Sequence, residues 1–153
     1  NTLREMHLLG QLKHQHVVQG VGMLLEQREC SLLMTPVAEC TLHDYLRART
    51  AVGVQAVTLK RWLGCLASGL DSIHRQHIFH FDIKPANILM YLDRNRVPRL
   101  LISDFGASVS SPNSKPAISR PRGHTPLYAA PESTTHGFQG AAFDIFSLGC
   151  VYF

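Results

Sequence analysis

Three polar side chains of different chemistry fall inside six residues of the stretch HFDIKPANIL: Asp82, Lys84 and Asn87. A second acid, Asp104, follows in ISDFGAS. A hydroxyl attacking a nucleotide phosphate needs an acid to orient it, cations against the phosphoryl charge, and oxygen ligands for Mg²⁺. Asp82, Lys84 and the pair Asn87 with Asp104 supply these in that order. Each residue alone has a plainer use, since a loop Asp caps or turns, a Lys is solvated and an Asn serves a turn. The combination is what argues for chemistry. Gly106 gives the backbone freedom just after the second acid. One neighbour does not fit a polar site: the bulky, apolar Phe81 stands directly before Asp82.

The elements that must position these residues follow from periodicity. Asn87 and Asp104 flank two short apolar runs, Ile88 to Tyr91 and Leu100 to Ile102, separated by the turn Asp93-Arg94-Asn95-Arg96. A hairpin there would bring the two oxygen ligands together. Upstream, Thr58 is the expected N-cap of a long helix that carries Leu59, Trp62, Leu63, Leu66, Leu70 and Ile73 to about Gln76. Thr41 to Arg47 reads as a short helix. Thr2 to Lys13 reads as another, with Leu3, Met6, Leu8, Leu9 and Leu12 as its apolar stripe. Val17-Val18, Leu24-Leu25 and Ser31 to Met34, around the polar Glu26 to Glu29, predict a hairpin that Pro36 ends. From Phe105 to about Tyr128 the chain is rich in Ser, Pro and Gly with little periodicity, and loops of that length usually serve function. Ala141 to Phe153 returns to an apolar helix.

Bulk properties narrow the class. The chain has 153 residues, 45% hydrophobic and 17% charged, as a globular domain does and a disordered chain does not. No apolar run approaches the roughly 20 residues needed to span a bilayer. The net charge of +4 and the lack of a long basic run give no indication of nucleic-acid binding. The four cysteines form no CxxC pair, so buried thiols in a reducing, cytoplasmic setting are expected, with nuclear or organelle association left open. His14 and His16, with no Cys nearby, do not make a zinc site. The chain begins inside a helical pattern without Met and ends inside an apolar one, as a fragment would.

HFDIKPANIL, then SDFG, then GHTPLYAAPE, then DIFSLGC resembles the catalytic core of the eukaryotic protein kinase family, serine/threonine type. Asp82 lies five positions before Asn87 and Asp104 lies 28 before Glu132, in the order and spacing of that family. Four motifs in register over about 70 residues are specific where one is weak. The resemblance extends upstream through the hinge and first helix, over essentially the whole chain.

The resemblance implies an α+β, two-lobed protein kinase-like fold in truncated form. Residues 1–37 would be the C-terminal part of the N-lobe (helix C, two strands, hinge), and residues 38–153 the start of the helical C-lobe. It implies transfer of the ATP γ-phosphoryl group, with Mg²⁺, to the Ser or Thr hydroxyl of a protein substrate. Asp82 matches the catalytic base, Lys84 the phosphate-contacting lysine and Thr125 a threonine bridging the two. Asn87 and Asp104 match the metal-binding positions, and Asp144 the acid that anchors the catalytic loop. Ala130-Pro131-Glu132 closes the activation segment. Glu5 falls where the helix glutamate pairs with the ATP-binding lysine, although Thr2-Leu3-Arg4-Glu5 also fits a capping box. Met34-Thr35-Pro36-Val37 matches the gatekeeper and hinge. Pro36 has no N–H, so adenine contacts would fall on Thr35, Val37 or their neighbours. Leu89 and the residues around Ala38 would face the base, unless they only pack the core.

The departures are equally definite. Phe81 replaces the family's usual Arg, the cation that reads a phosphorylated activation segment. Between Asp104 and Glu132 there is no Asp or Glu, while Lys115, Arg120 and Arg122 make the segment basic, and Ser108, Ser110, Ser111, Ser114 and Ser119 stand available for modification. Activity is therefore expected not to depend on phosphorylation of that segment. The glycine-rich loop and the strand lysine would precede Asn1, and the Arg partner of Glu132 would follow Phe153. The fragment by itself is thus expected to be inactive. The alternative is a pseudokinase or scaffold, which a missing strand lysine would favour.

Overall fold

The structure is a computed structural model that describes residues 2–27, 29–48, 54–111, 125–131 and 140–152. Helix α1 (Thr2–Gln11) buries Leu8 and Leu9, and Leu12 is buried just beyond its end. The apolar stripe is shorter than its spacing predicts, for Leu3 is 72% exposed. Strands β1 (Gln19–Glu26) and β2 (Glu29–Thr35) form the expected antiparallel hairpin, in register from Gln19 opposite Thr35 to Glu26 opposite Glu29, with a slip between Gly20 and Gly22. Pro36 follows β2 directly.

β3 (Cys40–Thr41) leads into α2 (Leu42–Ala48). Thr41 Oγ1 accepts from the Asp44 amide at 3.1 Å, and Asp44 Oδ2 accepts from the Thr41 amide at 3.3 Å, a reciprocal cap on the helix. Helix α3 (Ala56–Arg75) begins two residues before Thr58. Gln55 is its N-cap residue, and its carbonyl takes the amides of Thr58 and Leu59 at 2.9 and 3.1 Å. The expected Thr58 cap is therefore wrong: the backbone has already turned helical, and Thr58 lies inside the first turn. α3 buries Trp62, Leu66, Gly69, Leu70 and Ile73, whereas Leu63 is 40% exposed and off that face.

β4 (Ile78–Phe79) precedes the loop that carries Asp82, Lys84 and Asn87, and β5 (Ile88–Leu92) and β6 (Pro98–Ile102) form the second expected hairpin, with Ile88 opposite Ile102. β7 (Val109–Ser110) pairs back on β4, and α4 (Ala141–Val151) completes the described elements. The sheet order β3-β5-β6 is antiparallel throughout.

The N-terminal elements are tied to this sheet by backbone. Ile102 N donates to His16 O at 2.9 Å and Val18 N donates to Ile102 O at 3.0 Å. Leu8 and Leu9 of α1, Leu12 just after it, the α3 face, and Ile88, Met90, Leu100 and Ile102 of the hairpin share one apolar core. Burying such side chains contributes about 1.5–3 kcal/mol each, enough to fix α1 and α3 against the hairpin that carries Asn87 and Asp104 at its ends. A smaller cluster of Phe81, Ala130 and Phe143 packs with Phe79, Val109 and Ala129.

The cysteines are all free, but they are less buried than expected: Cys30 is exposed and Cys40, Cys65 and Cys150 are half-buried. Cys30 lies on β2, most of whose side chains face solvent. No helix among the described residues is long and apolar enough to cross a membrane.

Candidate active site

The loop between β4 and β5 is pinned from below by Asp144 of α4. The Asp144 carboxylate is fully buried and accepts from His80 N at 2.8 Å, Phe81 N at 2.7 Å and the His74 ring at 2.9 Å. Those bonds hold Phe81 at φ 63°, a left-handed conformation that a bulky side chain rarely adopts. Such a conformation costs on the order of 1–3 kcal/mol and persists only where surroundings over-determine it. Here both the amide and the buried ring do so.

His80 fixes the other side of the loop. Its Nε2 donates to Ser103 O at 3.0 Å, and its Nδ1 accepts from the Asp82 amide at 3.3 Å. One nitrogen donating and one accepting is the neutral ring, and complete burial pushes the imidazole pKa down, against the pull of Asp144 and the Ser103 carbonyl. Its ring rests on Phe105 at 4.9 Å.

Asp82, 8% exposed, is where the predicted residues meet. Oδ2 accepts from Lys84 Nζ at 2.7 Å and from Asn87 Nδ2 at 2.9 Å. Oδ1 accepts from Thr125 N at 3.2 Å and Thr125 Oγ1 at 3.1 Å. Lys84 Nζ also donates to Thr125 Oγ1 at 2.9 Å, so the threonine hydroxyl lies between acid and lysine. Asn87 Nδ2 reaches the Asp82 backbone carbonyl too, at 2.9 Å. A carboxylate has about four lone-pair sites, and this one is filled.

Asn87 O accepts from Ser103 N at 3.0 Å and Ser103 Oγ at 2.9 Å, so the hairpin ends are stitched together and Asp104 follows immediately. Asp104 is exposed, at φ 64°, and its Oδ1 accepts from Gly106 N at 3.2 Å. A Cβ at position 106 would lie 3.1 Å from that oxygen, tighter than an ordinary contact, so a side chain there would press on this bond. Asn87 spends its NH₂ group on Asp82, leaving the amide oxygen as the atom for a cation. The donors are hard oxygens, and among the described residues no group of three or more His, Cys, Asp or Glu is suited to a metal. That set fits Mg²⁺, which is held by one or two protein oxygens plus substrate phosphates, better than it fits an ion needing an all-protein cage.

Glu5 is half-buried on α1, and its Oε1 accepts from Phe105 N at 3.0 Å. Burial chiefly raises its pKa, with Asp104 adding to the rise and the Phe105 amide opposing it. The carboxylate thus points at the Asp104 turn. Met34 and Thr35 end β2, Met34 being 37% exposed. Val37, 88% exposed, is not a core residue. Leu89 is half-buried and packs against the main core, so core packing accounts for at least part of its burial.

Glu132, Gly123, His124, Ser114, Ser119, Lys115, Arg120 and Arg122 lie outside the described residues. Ser108 is not available for modification as its sequence setting implied: it is fully buried, and its hydroxyl donates to His80 O at 3.3 Å. Sequence reasoning gave no role to His80, His74 or Arg4. Only His80 carried a signal, a lone polar residue between Phe79 and Phe81.

An acid, a lysine and a threonine thus gather at the mouth of a hairpin whose two ends present Asn and Asp. The chain belongs to the protein kinase domain family, whose model matches residues 1–153. Members of that family use ATP and Mg²⁺. It is 33% identical over 151 residues to the serine/threonine-protein kinase fused of Drosophila melanogaster, covering 99% of this chain and 18% of that protein. It is 30% identical over 154 residues to the serine/threonine-protein kinase ULK3 of Homo sapiens, covering 100% of this chain and 31% of that one. Against the MAP kinase kinase kinase wis4 of Schizosaccharomyces pombe, identity is 38% over 160 residues, covering 96% and 11%. The chain therefore spans a third or less of the length of these relatives.

Proposed function

We propose that the chain is the catalytic core of a serine/threonine protein kinase that uses ATP, with residues 1–37 and 38–153 contributing to its two lobes. The observation that carries this reading is the Asp82 carboxylate, shared by Lys84, Asn87 and Thr125. The names of the relatives support the choice of serine/threonine acceptors, as do Lys84 and the Thr125 bridge.

In this reading the substrate hydroxyl takes over the place of the Thr125 hydroxyl on Asp82 Oδ1, one of the longer of the four contacts at 3.1 Å. The hydroxyl oxygen forms a bond to the γ-phosphorus, the bond from that phosphorus to the β–γ bridging oxygen breaks, ADP leaves, and the hydroxyl proton passes to Asp82. Lys84, freed from part of its hold on Asp82, turns its charge to the transferring group. Asn87 and Asp104 would hold Mg²⁺, which supplies charge neutralisation at the phosphates when bound. Glu5 would pair with the ATP-binding lysine, and the backbone at Thr35 and Val37 would take the adenine. Positioning and charge carry this chemistry, so Asp82 needs no unusual basicity.

The test is transfer of labelled γ-phosphate from ATP to Ser/Thr and Tyr peptide libraries by the full-length protein. Label on Ser and Thr, lost in Asp82→Asn, is expected. Label confined to tyrosine, or transfer that survives the substitution, would reject the reading.

A further inference from the structure

Two consecutive residues of α1 grip the chain that follows Asp104. Glu5 Oε1 accepts from Phe105 N at 3.0 Å, and Arg4 Nη2 donates to Ser108 O at 2.7 Å. The contacts bracket a single 3₁₀ turn, Phe105–Ala107. An arginine at the start of an exposed helix face ordinarily meets water or a carboxylate. This one is spent on a backbone carbonyl 104 positions away, and among the described residues it makes no ion pair.

The residue it holds is a junction. Ser108 is fully buried; its amide donates to Phe105 O at 3.1 Å and closes the turn, its carbonyl takes Arg4, and its hydroxyl donates to His80 O at 3.3 Å. The His80 ring in turn lies tilted against Phe105 and receives the Asp82 amide. The three polar groups of one serine therefore link the turn, α1 and the loop that carries Asp82. A charged donor is the stronger partner in such a chain, and a guanidinium fits a fixed acceptor better than an ammonium does.

We infer that Arg4 is a positioning residue: it sets α1 against the turn after Asp104 and, through Ser108, couples the seating of α1 to His80 and Asp82. The consequence for turnover rests on the kinase reading above, whereas the coupling itself does not.

The experiment compares full-length wild type with Arg4→Ala, Arg4→Lys, Ser108→Ala and the Arg4→Ala/Ser108→Ala double variant. Amide hydrogen exchange is followed across 105–111, and steady-state phosphotransfer is measured at varied ATP. Arg4→Ala is expected to speed exchange at Phe105 and Ser108 by about tenfold while α3 amides from Leu66 to Ile73 stay as protected as before. Arg4→Lys should recover part of that protection. kcat should fall about tenfold in either single variant and little further in the double variant, the non-additivity of a shared network. Unchanged exchange at 105–108 in Arg4→Ala, a rise spread equally over α3, or strictly multiplicative losses in kcat would each overturn the inference. If wild type transfers no phosphate at all, the kinase reading fails, and the exchange comparison still decides the coupling.

Discussion

The ring of Phe81 meets the ring of Phe143 edge-on, at 5.5 Å between centroids, joining the loop that carries Asp82 to α4. Phe79 adds a third ring at 6.0 Å from Phe81, and Ala130, from the Ala-Ala-Pro stretch after Thr125, closes the cluster. The position that in related kinases holds a cation thus holds an apolar anchor. It ties the loop, α4 and the stretch after Thr125 by burial instead of by a charge pair, and it needs no phosphate to do so.

Replacing Phe81 by Arg should therefore not restore a phosphate reader. It puts a guanidinium into a site with no exposed surface, where both Asp144 oxygens already serve the His80 and Phe81 amides and His74. Phe81→Arg should cost at least as much as the roughly 3–5 kcal/mol typical of Phe→Ala in a core, and Phe81→Leu about 1 kcal/mol. Denaturant midpoints of the full-length variants check this. Wild-type stability for Phe81→Arg would mean that the ring is not the anchor. Phosphatase treatment of the wild-type protein should leave most of its peptide phosphorylation in place.

The Thr125 hydroxyl bridges Asp82 and Lys84, while its amide contacts Asp82 independently. Thr125→Val keeps the amide and the shape but removes the bridge. The hydroxyl keeps its bond to the charged Lys84 ammonium when substrate takes its place on Asp82, and a hydrogen bond to a charged group contributes about 1.5–3 kcal/mol, so phosphotransfer should drop roughly 10- to 150-fold. Thr125→Ser should stay near wild type. A loss in Ser with Val near wild type would point to the methyl group and not the bridge. Initial rates at saturating ATP make the comparison.

His80 should impose an acid limit. Its pKa is lowered in the folded protein by burial, from an unfolded value of about 6.5. Below about pH 6.5 the unfolded chain takes up a proton that the folded ring refuses, so stability is full above that pH and falls as pH falls through it, by up to about 1.4 kcal/mol per unit. Protonation would also turn Nδ1, now an acceptor, into a donor facing the Asp82 amide. His80→Phe should be less stable at pH 7.5 through the orphaned Ser103 carbonyl, yet lose less on going from pH 7 to 5. Parallel pH profiles of unfolding free energy for the two proteins would remove His80 as the cause.

What could be read from the sequence was what rests on local pattern. The hairpin of β5 and β6, with Asn87 and Asp104 at its ends, follows from two apolar runs around a polar turn, and the Thr125 bridge between Asp82 and Lys84 was implied by the family resemblance, whereas the bonds from Asn87 to Asp82 were not expected. What could not be read depends on atoms brought together across the chain. The Thr58 hydroxyl had the right type for a cap, but the Gln55 carbonyl had already started α3. Leu3 has the right spacing, but α1 turns it to solvent. Ser108 looks like an accessible serine in a polar loop and is instead a buried junction, because β4 and β7 fold its neighbours against His80. No local pattern distinguishes Arg4, whose partner lies 104 residues away.

A close approach of α3 to the N-terminal part, at Gly69, offers a test of how the two are held. A Cβ at Gly69 would lie 3.0 Å from His16 O, 3.2 Å from His16 Cβ and 3.3 Å from Ile102 Cδ1. In a helix interior Gly→Ala normally gains about 0.5–1 kcal/mol. The sign should reverse here, because the His16 carbonyl is not at liberty to yield: it accepts the Ile102 amide at 2.9 Å, and the His16 ring is fastened to Leu100 O at 3.0 Å. Overpacking against fixed backbone costs about 1–3 kcal/mol, so Gly69→Ala should be net destabilising by about 1 kcal/mol and Gly69→Val by more. Gly64, on the same helix with nothing within 4 Å of a Cβ, is the control, and Gly64→Ala should be neutral or stabilising. Chemical denaturation of both variants in the full-length protein separates the cases. If Gly69→Ala stabilises as Gly64→Ala does, the strand-like segment His16 to Val18 must be able to slide away from α3, and the backbone tie to Ile102 is weaker than its two hydrogen bonds indicate.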